Sequence, residues 1–249
     1  MVNQDKLVAE FCELVKIRCS TGKEREIVDI VKAKLTALGF EVAEDNVGEK
    51  LNGNAGNVFG YLKGNIPGAP VLMLSAHLDS VEPCNGIQPR IVDGVLKSDG
   101  TTILGSDDKA GVAAILEAVR VVKEQGLPFG DLQIVFTVAE EGGLNGSKHM
   151  DASLLKADFG YALDSGGAPG HIINAAPGQE NVTATIYGKS AHAGIAPEEG
   201  LNAIVIAAQA IVKMKQARID HETTANIGII HGGQATNIVP DKVVVECEA

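Results

Sequence analysis

The sequence predicts an α/β protein with a mixed, mostly parallel sheet flanked by helices, followed by a small α+β lid domain. The continuous apolar runs LQIVFTVA (132–139) and FGYALD (159–164) are typical of strands buried on both faces under helices. After SGGAPG (165–170) the pattern changes, and ENVTATIYGKSA (180–191) alternates as a half-exposed strand does. We therefore expect one domain over residues 1–176 and a second over residues 177–249.

The first domain is expected to contain three helices and a set of short strands. Helical apolar spacing occurs at 4–18, between Thr21 and Gly39 and at 109–124, and apolar strand patterns occur at 57–63, 70–77, 132–139 and 159–164. Thr21 and Glu24 have the spacing of a capping box at the start of the second helix. The segment RIVDGVLKS (90–98) places Asp-Gly between apolar pairs, which is the usual signal of a hairpin.

The second domain is expected to follow a β-α-β-β order. Its helix is predicted to begin at Pro197, because proline is favoured in the first helical turn. Alternating strands are predicted near 223–231 and 238–248. The last strand ends at VVVECEA with no turn signal behind it, so we expect the chain to be the N-terminal part of a longer protein.

Composition excludes several classes of protein. The chain has 21 basic and 32 acidic residues, a net charge of −11, which argues against nucleic-acid or anionic-membrane partners. None of the four cysteines forms a Cys-x-x-Cys pair, so a thiolate zinc site or a redox motif is not expected. The longest apolar stretch, 203–212, is too short to cross a bilayer, and the segment MVNQDKLVAEF (1–11) does not show the basic run and apolar core of a signal peptide. We expect a cytoplasmic protein.

Acidic or imidazole residues occur where four apolar elements end or begin. They are His77 and Asp79 in LSAHLDS, Asp107 in LGSDDKAG, Glu140 and Glu141 in TVAEEGG, and Asp164 in YALDSGG. Ligands of open α/β sheets bind at the carboxyl ends of the strands. We therefore expect these side chains to converge although they are distant in sequence.

Each of these residues also has a simpler interpretation. Asp107 or Asp108 could cap the following helix, Asp164 could cap a turn, and the Glu140–Glu141 pair could lie in a solvated loop. The repetition of hard oxygen or imidazole donors at the same end of successive elements is what favours a common site.

The residue types indicate a transition-metal centre. Imidazole and carboxylate ligands suit Zn²⁺, Mn²⁺ or Co²⁺. Asp79 points the same way as His77 and can orient its ring. Glu140 and Glu141 leave the chain in different directions, so one can bind metal while the other accepts a proton. A bridging carboxylate such as Asp107 would hold two cations about 3.5–4 Å apart.

In this order, the motifs SAHLDS, LGSDDKAG, TVAEEGG and ALDSGG resemble those of the dinuclear-zinc exopeptidases, and within them the peptidase T-like (tripeptide aminopeptidase) branch. The resemblance covers the whole chain, since GKSAHAG and GGQATNIVP are similar to that family's lid domain. It implies a cytoplasmic metallopeptidase that uses a two-metal-activated water to remove N-terminal residues from short peptides. It implies two divalent ions, zinc first, with cobalt or manganese as the other candidates.

The resemblance also implies a role for each site residue. His77 and Asp164 would bind the first metal, Asp107 would bridge both, Glu141 would bind the second, Asp79 would support His77, Glu140 would be the general base, and His192 and Asn237 would contact the substrate. Family members with Asp at the position of Asp164 tend to be aminopeptidases, whereas Glu there tends to mark carboxypeptidases and acylases. Lid domains in this family often pair two subunits, so a homodimer is implied.

The sequence departs from the family pattern at its end. Family members return from the lid to the catalytic domain and supply a final histidine to the second metal, and this sequence stops within the lid. We therefore expect the chain by itself to bind metal weakly at one site. Two alternatives stay open: an acylase or deacylase on the same scaffold, and a non-catalytic metal- or peptide-binding protein.

Overall fold

The computed structural model describes residues 1–249, which form two compact units, Met1–Pro169 and Gly170–Ala249. In chain order the elements of the first unit are helices α1 (Gln4–Val15) and α2 (Arg25–Ala37), strand β1 (Glu41–Glu44), helix α3 (Val47–Lys50), strands β2 (Val58–Leu62), β3 (Leu72–His77), β4 (Arg90–Val92) and β5 (Val95–Lys97), helix α4 (Ser106–Glu124), strand β6 (Leu132–Thr137), helix α5 (Asn145–Lys148), a 3-10 turn (Ala152–Leu154) and strand β7 (Phe159–Ala162).

The central sheet of the first unit has the strand order β1-β2-β6-β3-β7. Strand β2 is antiparallel to β1 and β6, whereas β3 is parallel to both β6 and β7. The predicted mixed α/β fold is confirmed. Because β6, β3 and β7 run in one direction, their carboxyl ends meet at the same edge of the sheet.

The core of this unit lies between the sheet and its helices. Helix α4 packs against β3 and α1. On its predicted apolar face Val112, Ile115, Leu116 and Val119 are buried, whereas Val122 is half-buried. None of the helices combines the length and apolarity that a membrane span requires.

Strand β7 differs from its prediction. It lies at the edge of the sheet with β3 as its paired neighbour, and its side chains Phe159 and Tyr161 are each 47% exposed and pack edge to face on one another. The expectation that this strand is buried on both faces is wrong, because an apolar run does not reveal whether another element covers the strand.

The predicted hairpin is confirmed by the pairing of β4 with β5. Its two turn residues, Asp93 and Gly94, have φ values of 53° and 76°. Positive φ at both central positions is what a type I′ turn requires, and Asp-Gly adopts it readily.

The second unit contains the predicted strand, helix and two later strands, together with a short strand, Ala217–Arg218, that was not predicted. Its elements are strand β8 (Asn181–Tyr187), a 3-10 turn (Pro197–Glu199), helix α6 (Ala203–Ile211) and strands β9 (Ala217–Arg218), β10 (Thr224–Gly232) and β11 (Lys242–Glu248). The strands form an antiparallel sheet in the order β8-β11-β10-β9.

Helix α6 begins at Ala203 and not at Pro197, so the predicted start is wrong. Pro197 opens a separate 3-10 turn that ends before the extended residue Gly200. The Asn202 side chain then accepts hydrogen bonds from the N–H groups of Ile204 and Val205. An asparagine cap of this kind satisfies the free N–H groups of the first turn and sets the helix start.

An ion-pair cluster around Glu44 joins β1 to α2. Its carboxylate accepts hydrogen bonds from Arg25 at 2.8 and 2.9 Å, from Lys32 at 2.7 Å and from the N–H of Gly56 at 2.9 Å. Burial alone would raise the pKa of Glu44, but these donors lower it from 4.5 to about 2.

Replacing Glu44 by Gln is expected to lower the free energy of unfolding at pH 7 by about 1–3 kcal/mol, because charged hydrogen bonds are lost. A carboxyl whose pKa is lower in the folded state stabilises the fold above pH 4.5 and loses that effect as the pH falls toward 2. The difference between the two proteins in urea denaturation should therefore shrink between pH 5 and pH 2. Glu41→Gln, on the same strand and exposed, is the control; an equal loss in both variants would contradict the role of the cluster.

Candidate metal centre

The predicted site residues of the first unit come together at the carboxyl edge of the sheet. His77 is the last residue of β3, the two glutamates follow β6, Asp164 follows β7, and Asp107 lies at the start of α4. Two groups have ligand atoms within 4.8 Å of one another: His77 with Glu140 and Glu141, and His77 with Asp107 and Asp164. The predicted convergence is therefore present.

His77 lies at the centre of this cluster. Its Nε2 is 3.1 Å from Asp107 Oδ1 and 4.0 Å from Glu140 Oε2, and its Nδ1 is 3.4 Å from Asp79 Oδ1. The His77 and Asp79 side chains are 2% and 0% exposed, whereas the Asp107 side chain is 71% exposed. The cluster has a buried imidazole with carboxylates around it on the open side.

The two aspartates at the start of α4 have separate functions. Neither has helical backbone angles. Asp108 Oδ1 accepts the N–H of Gly111 at 3.1 Å, which is the bond that an N-cap makes. Asp107 instead faces His77. The capping interpretation is thus correct for Asp108, and Asp107 is free to bind a ligand.

The turn after β6 presents Glu140 and Glu141. Ala139 has a left-handed φ of 52°, which bends the chain as β6 ends. Asp79 Oδ1 accepts the N–H of Glu140 at 2.9 Å and Asp79 Oδ2 accepts the N–H of Glu141 at 3.2 Å. A Cβ at Gly146, which closes the turn, would lie 1.8 Å from the Val138 carbonyl oxygen. The pair belongs to a braced turn and not to a free solvated loop.

Burial and neighbouring charges shift the pKa values of the side chains in the cluster. Burial, followed by the charge of other carboxylates, raises the pKa of Glu140, Glu141 and Asp164. Burial alone would lower the pKa of His77, but Asp79 and Asp107 raise it to about 9. The carboxyl shifts thus arise first from burial, and the His77 shift arises from the carboxylates around the ring.

These side chains fit a divalent transition metal. The cluster offers one imidazole and four carboxylates and no thiolate, a donor set typical of zinc, manganese and cobalt enzymes. A bound cation would stabilise the charged form of Glu140, Glu141 and Asp164, whose pKa values are raised first by burial and then by neighbouring carboxylates. We infer that divalent metal is used here.

Three residues near the cluster were not found from the sequence. Thr21 Oγ1 donates to Asp79 Oδ2 at 2.7 Å, and Glu24 Oε1 accepts the N–H of Ala139 at 3.2 Å. The expected capping box is wrong, because neither side chain caps α2 and both face the site. Lys109, 1% exposed, donates to the Asp79 carbonyl at 3.1 Å and to Ser80 Oγ at 2.6 Å. A lysine in the first turn of a helix is unfavourable for the helix dipole, and that was the available signal.

The predicted substrate contacts His192 and Asn237 lie in the second unit. The N–H of Ala193 donates to the carbonyl of Asn237 at 2.9 Å, and the N–H of Gly194 donates to His192 Nδ1 at 3.2 Å. The loops that carry the two residues are thus neighbours within that unit.

Comparisons with known proteins agree with the motifs. A model of the M42 glutamyl aminopeptidase family matches residues 96–196, and a model of the peptidase dimerisation domain matches residues 165–249. The uncharacterised protein YqjE of Bacillus subtilis is 49% identical over all of this chain, which covers 67% of that protein.

Two crystal structures resemble the fold of this chain closely. The aminopeptidase PepT from Bacillus cereus is 50% identical with a TM-score of 0.92, over 99% of this chain and 66% of its own. A tripeptidase from Staphylococcus aureus is 47% identical with a TM-score of 0.88, over 100% of this chain and 66% of its own. The chain thus spans about two thirds of the length of these relatives. From its motifs, fold and relatives together, the chain belongs to the peptidase T-like exopeptidase family.

Proposed function

We propose that the protein is a metal-dependent aminopeptidase that removes N-terminal residues from short peptides. The observation that carries the proposal is the gathering of His77, Asp107, Glu140, Glu141 and Asp164 within coordinating reach at one sheet edge. Family membership supports the same chemistry. Zinc is the proposed metal, with cobalt or manganese able to replace it.

In this proposal four residues hold the metals. His77 and Asp164 would hold the first ion, Glu141 would hold the second, and Asp107 would be shared by both. Bound divalent ions supply Lewis acidity that polarises a carbonyl and acidifies water. Asp79 holds the His77 ring in place.

Glu140 is proposed as the general base. Burial and nearby carboxylates raise its pKa toward the range in which a carboxylate can both take up and release a proton. It takes a proton from the attacking water and passes it to the leaving amine. The water oxygen adds to the peptide carbonyl, and the tetrahedral species then breaks at the C–N bond.

The second unit is proposed to bind substrate and a second subunit. His192 is assigned to the scissile carbonyl and Asn237 to the peptide backbone, and the contact between their loops supports a joint role. The match to a peptidase dimerisation domain supports a homodimer. Residues 1–176 would form the catalytic domain and 177–249 the lid.

The 249-residue chain is expected to bind Zn²⁺, and His77→Asn should weaken that binding by more than about 100-fold, since a direct ligand is lost. Calorimetric titration of the metal-free chain measures the affinity. His221→Ala, at an exposed histidine of the second unit, should bind zinc as the wild type does. Wild-type affinity in the His77 variant would contradict the proposed centre.

Glu140→Gln is expected to lower kcat by about 100-fold or more while the metal content stays unchanged, because only the proton acceptor is removed. Tripeptide hydrolysis by the protein at its full natural length, with metal content by elemental analysis, tests this. Glu49→Gln, at an exposed position of α3, should leave both quantities unchanged. Full activity in the Glu140 variant would remove it from the role of base.

A tripeptide with a free amino group should be preferred over its N-acetylated form by at least about 100-fold in kcat/KM, since a site that binds the amino group rejects a substrate without it. Competing-substrate assays on the same full-length protein measure this ratio. Preference for N-acylated amino acids would favour the acylase alternative. Metal binding without hydrolysis of either substrate would favour the non-catalytic alternative.

A further inference from the structure

Four consecutive N–H groups after β6 donate to buried side chains and not to another strand. The pairs are Val138 N with Asn57 Oδ1 at 3.0 Å, Ala139 N with Glu24 Oε1 at 3.2 Å, Glu140 N with Asp79 Oδ1 at 2.9 Å, and Glu141 N with Asp79 Oδ2 at 3.2 Å. We call Asn57, Glu24 and Asp79 the amide cradle. It fixes the path of the backbone that presents the two glutamates.

The burial of the Glu24 carboxylate is energetically unfavourable. It is 1% exposed, it has no cationic partner within 4 Å, and burial raises its pKa. Burying a carboxylate without a cation is costly unless hydrogen bonds compensate. Its Oε1 accepts only the N–H groups of Gly22, at 2.8 Å, and Ala139. The bond to Ala139 falls on the residue whose left-handed φ turns the chain toward Glu140.

Thr21 acts on the same turn through Asp79. Its hydroxyl donates to Asp79 Oδ2 at 2.7 Å, and the same oxygen also accepts the N–H of Glu141. The segment that carries Thr21 is attached to the end of β3, because Ser80 N donates to Cys19 O at 3.0 Å and Ser20 pairs with Ser80. The hydroxyl therefore holds the Asp79 carboxylate in the orientation that serves both His77 and the turn.

We propose that Thr21 and Glu24 are positioning residues of the metal centre, which hold the turn carrying Glu140 and Glu141 without touching metal or substrate. The inference rests on the proposed function, since it assigns these residues a purpose only if Glu141 binds metal. Asn57 belongs to the same cradle, but it also bonds Asp45 and Gly146, so its replacement would disturb the fold more widely.

The test is a Co²⁺ titration of the metal-free chain, followed by the visible absorption of the bound ion, which reports ligand geometry. Thr21→Val and Glu24→Met, which remove the donor and the acceptor at nearly constant shape, are expected to weaken Co²⁺ binding by about 10- to 100-fold and to change the absorption bands. Thr21→Ser keeps the hydroxyl and should bind within about threefold of the wild type, and Glu24→Gln keeps an acceptor and should recover part of the loss.

Thr36→Val is the matched control. Thr36 Oγ1 donates to the Lys32 carbonyl at 2.8 Å on the exposed face of α2, so this variant loses one threonine hydrogen bond away from the cluster and should keep wild-type affinity and absorption. Wild-type behaviour of Thr21→Val, or equal losses in Thr21→Val and Thr21→Ser, would overturn the inference. A wild-type chain that binds no Co²⁺ would overturn the metal centre itself, which is a separate result.

Discussion

The buried carboxylate of Asp79 is the group on which the site depends. It is 0% exposed and it is shared by the Thr21 hydroxyl, the N–H groups of Glu140 and Glu141 and the facing His77 ring. A buried charge is tolerated only when its oxygens are satisfied. The end of β3, the segment before α2 and the turn after β6 must therefore all be in place together. The Asp79 side chain thus makes the geometry of the site depend on three separate segments of the first unit.

Much of this site could be predicted because sheet geometry is regular. Apolar runs located β3, β6 and β7, and the rule that ligands bind at the carboxyl ends of strands placed His77, Glu140 and Asp164 together. Thr21 and Glu24 could not be assigned in the same way, because their spacing is identical to that of a helix cap. Glu24 bonds to Ala139, 115 residues away, and a local pattern contains no information about so distant a partner. The exposure of β7 was missed for the same reason.

The carboxylates of the site outnumber the basic side chains, His77 and Lys109, that lie among them. Lys109 donates to the Asp79 carbonyl and not to a carboxylate, and the His77 ring faces the Asp79 carboxylate. Burial first, and neighbouring carboxylates second, raise the pKa of Glu140, Glu141 and Asp164. A cluster in this state favours cation binding, and the donor types decide which cations it prefers.

The tight packing of the turn that carries Glu140 and Glu141 limits how the protein can be engineered. Since any Cβ at Gly146 would collide with the backbone of Val138, that position admits a single amino acid in any mutant library. Leu144 in the same turn is 49% exposed, so packing does not restrict its side chain, but its left-handed φ of 61° disfavours β-branched residues there. Variants meant to change substrate selectivity should therefore replace side chains that point away from Gly146. The backbone of the turn should stay unchanged.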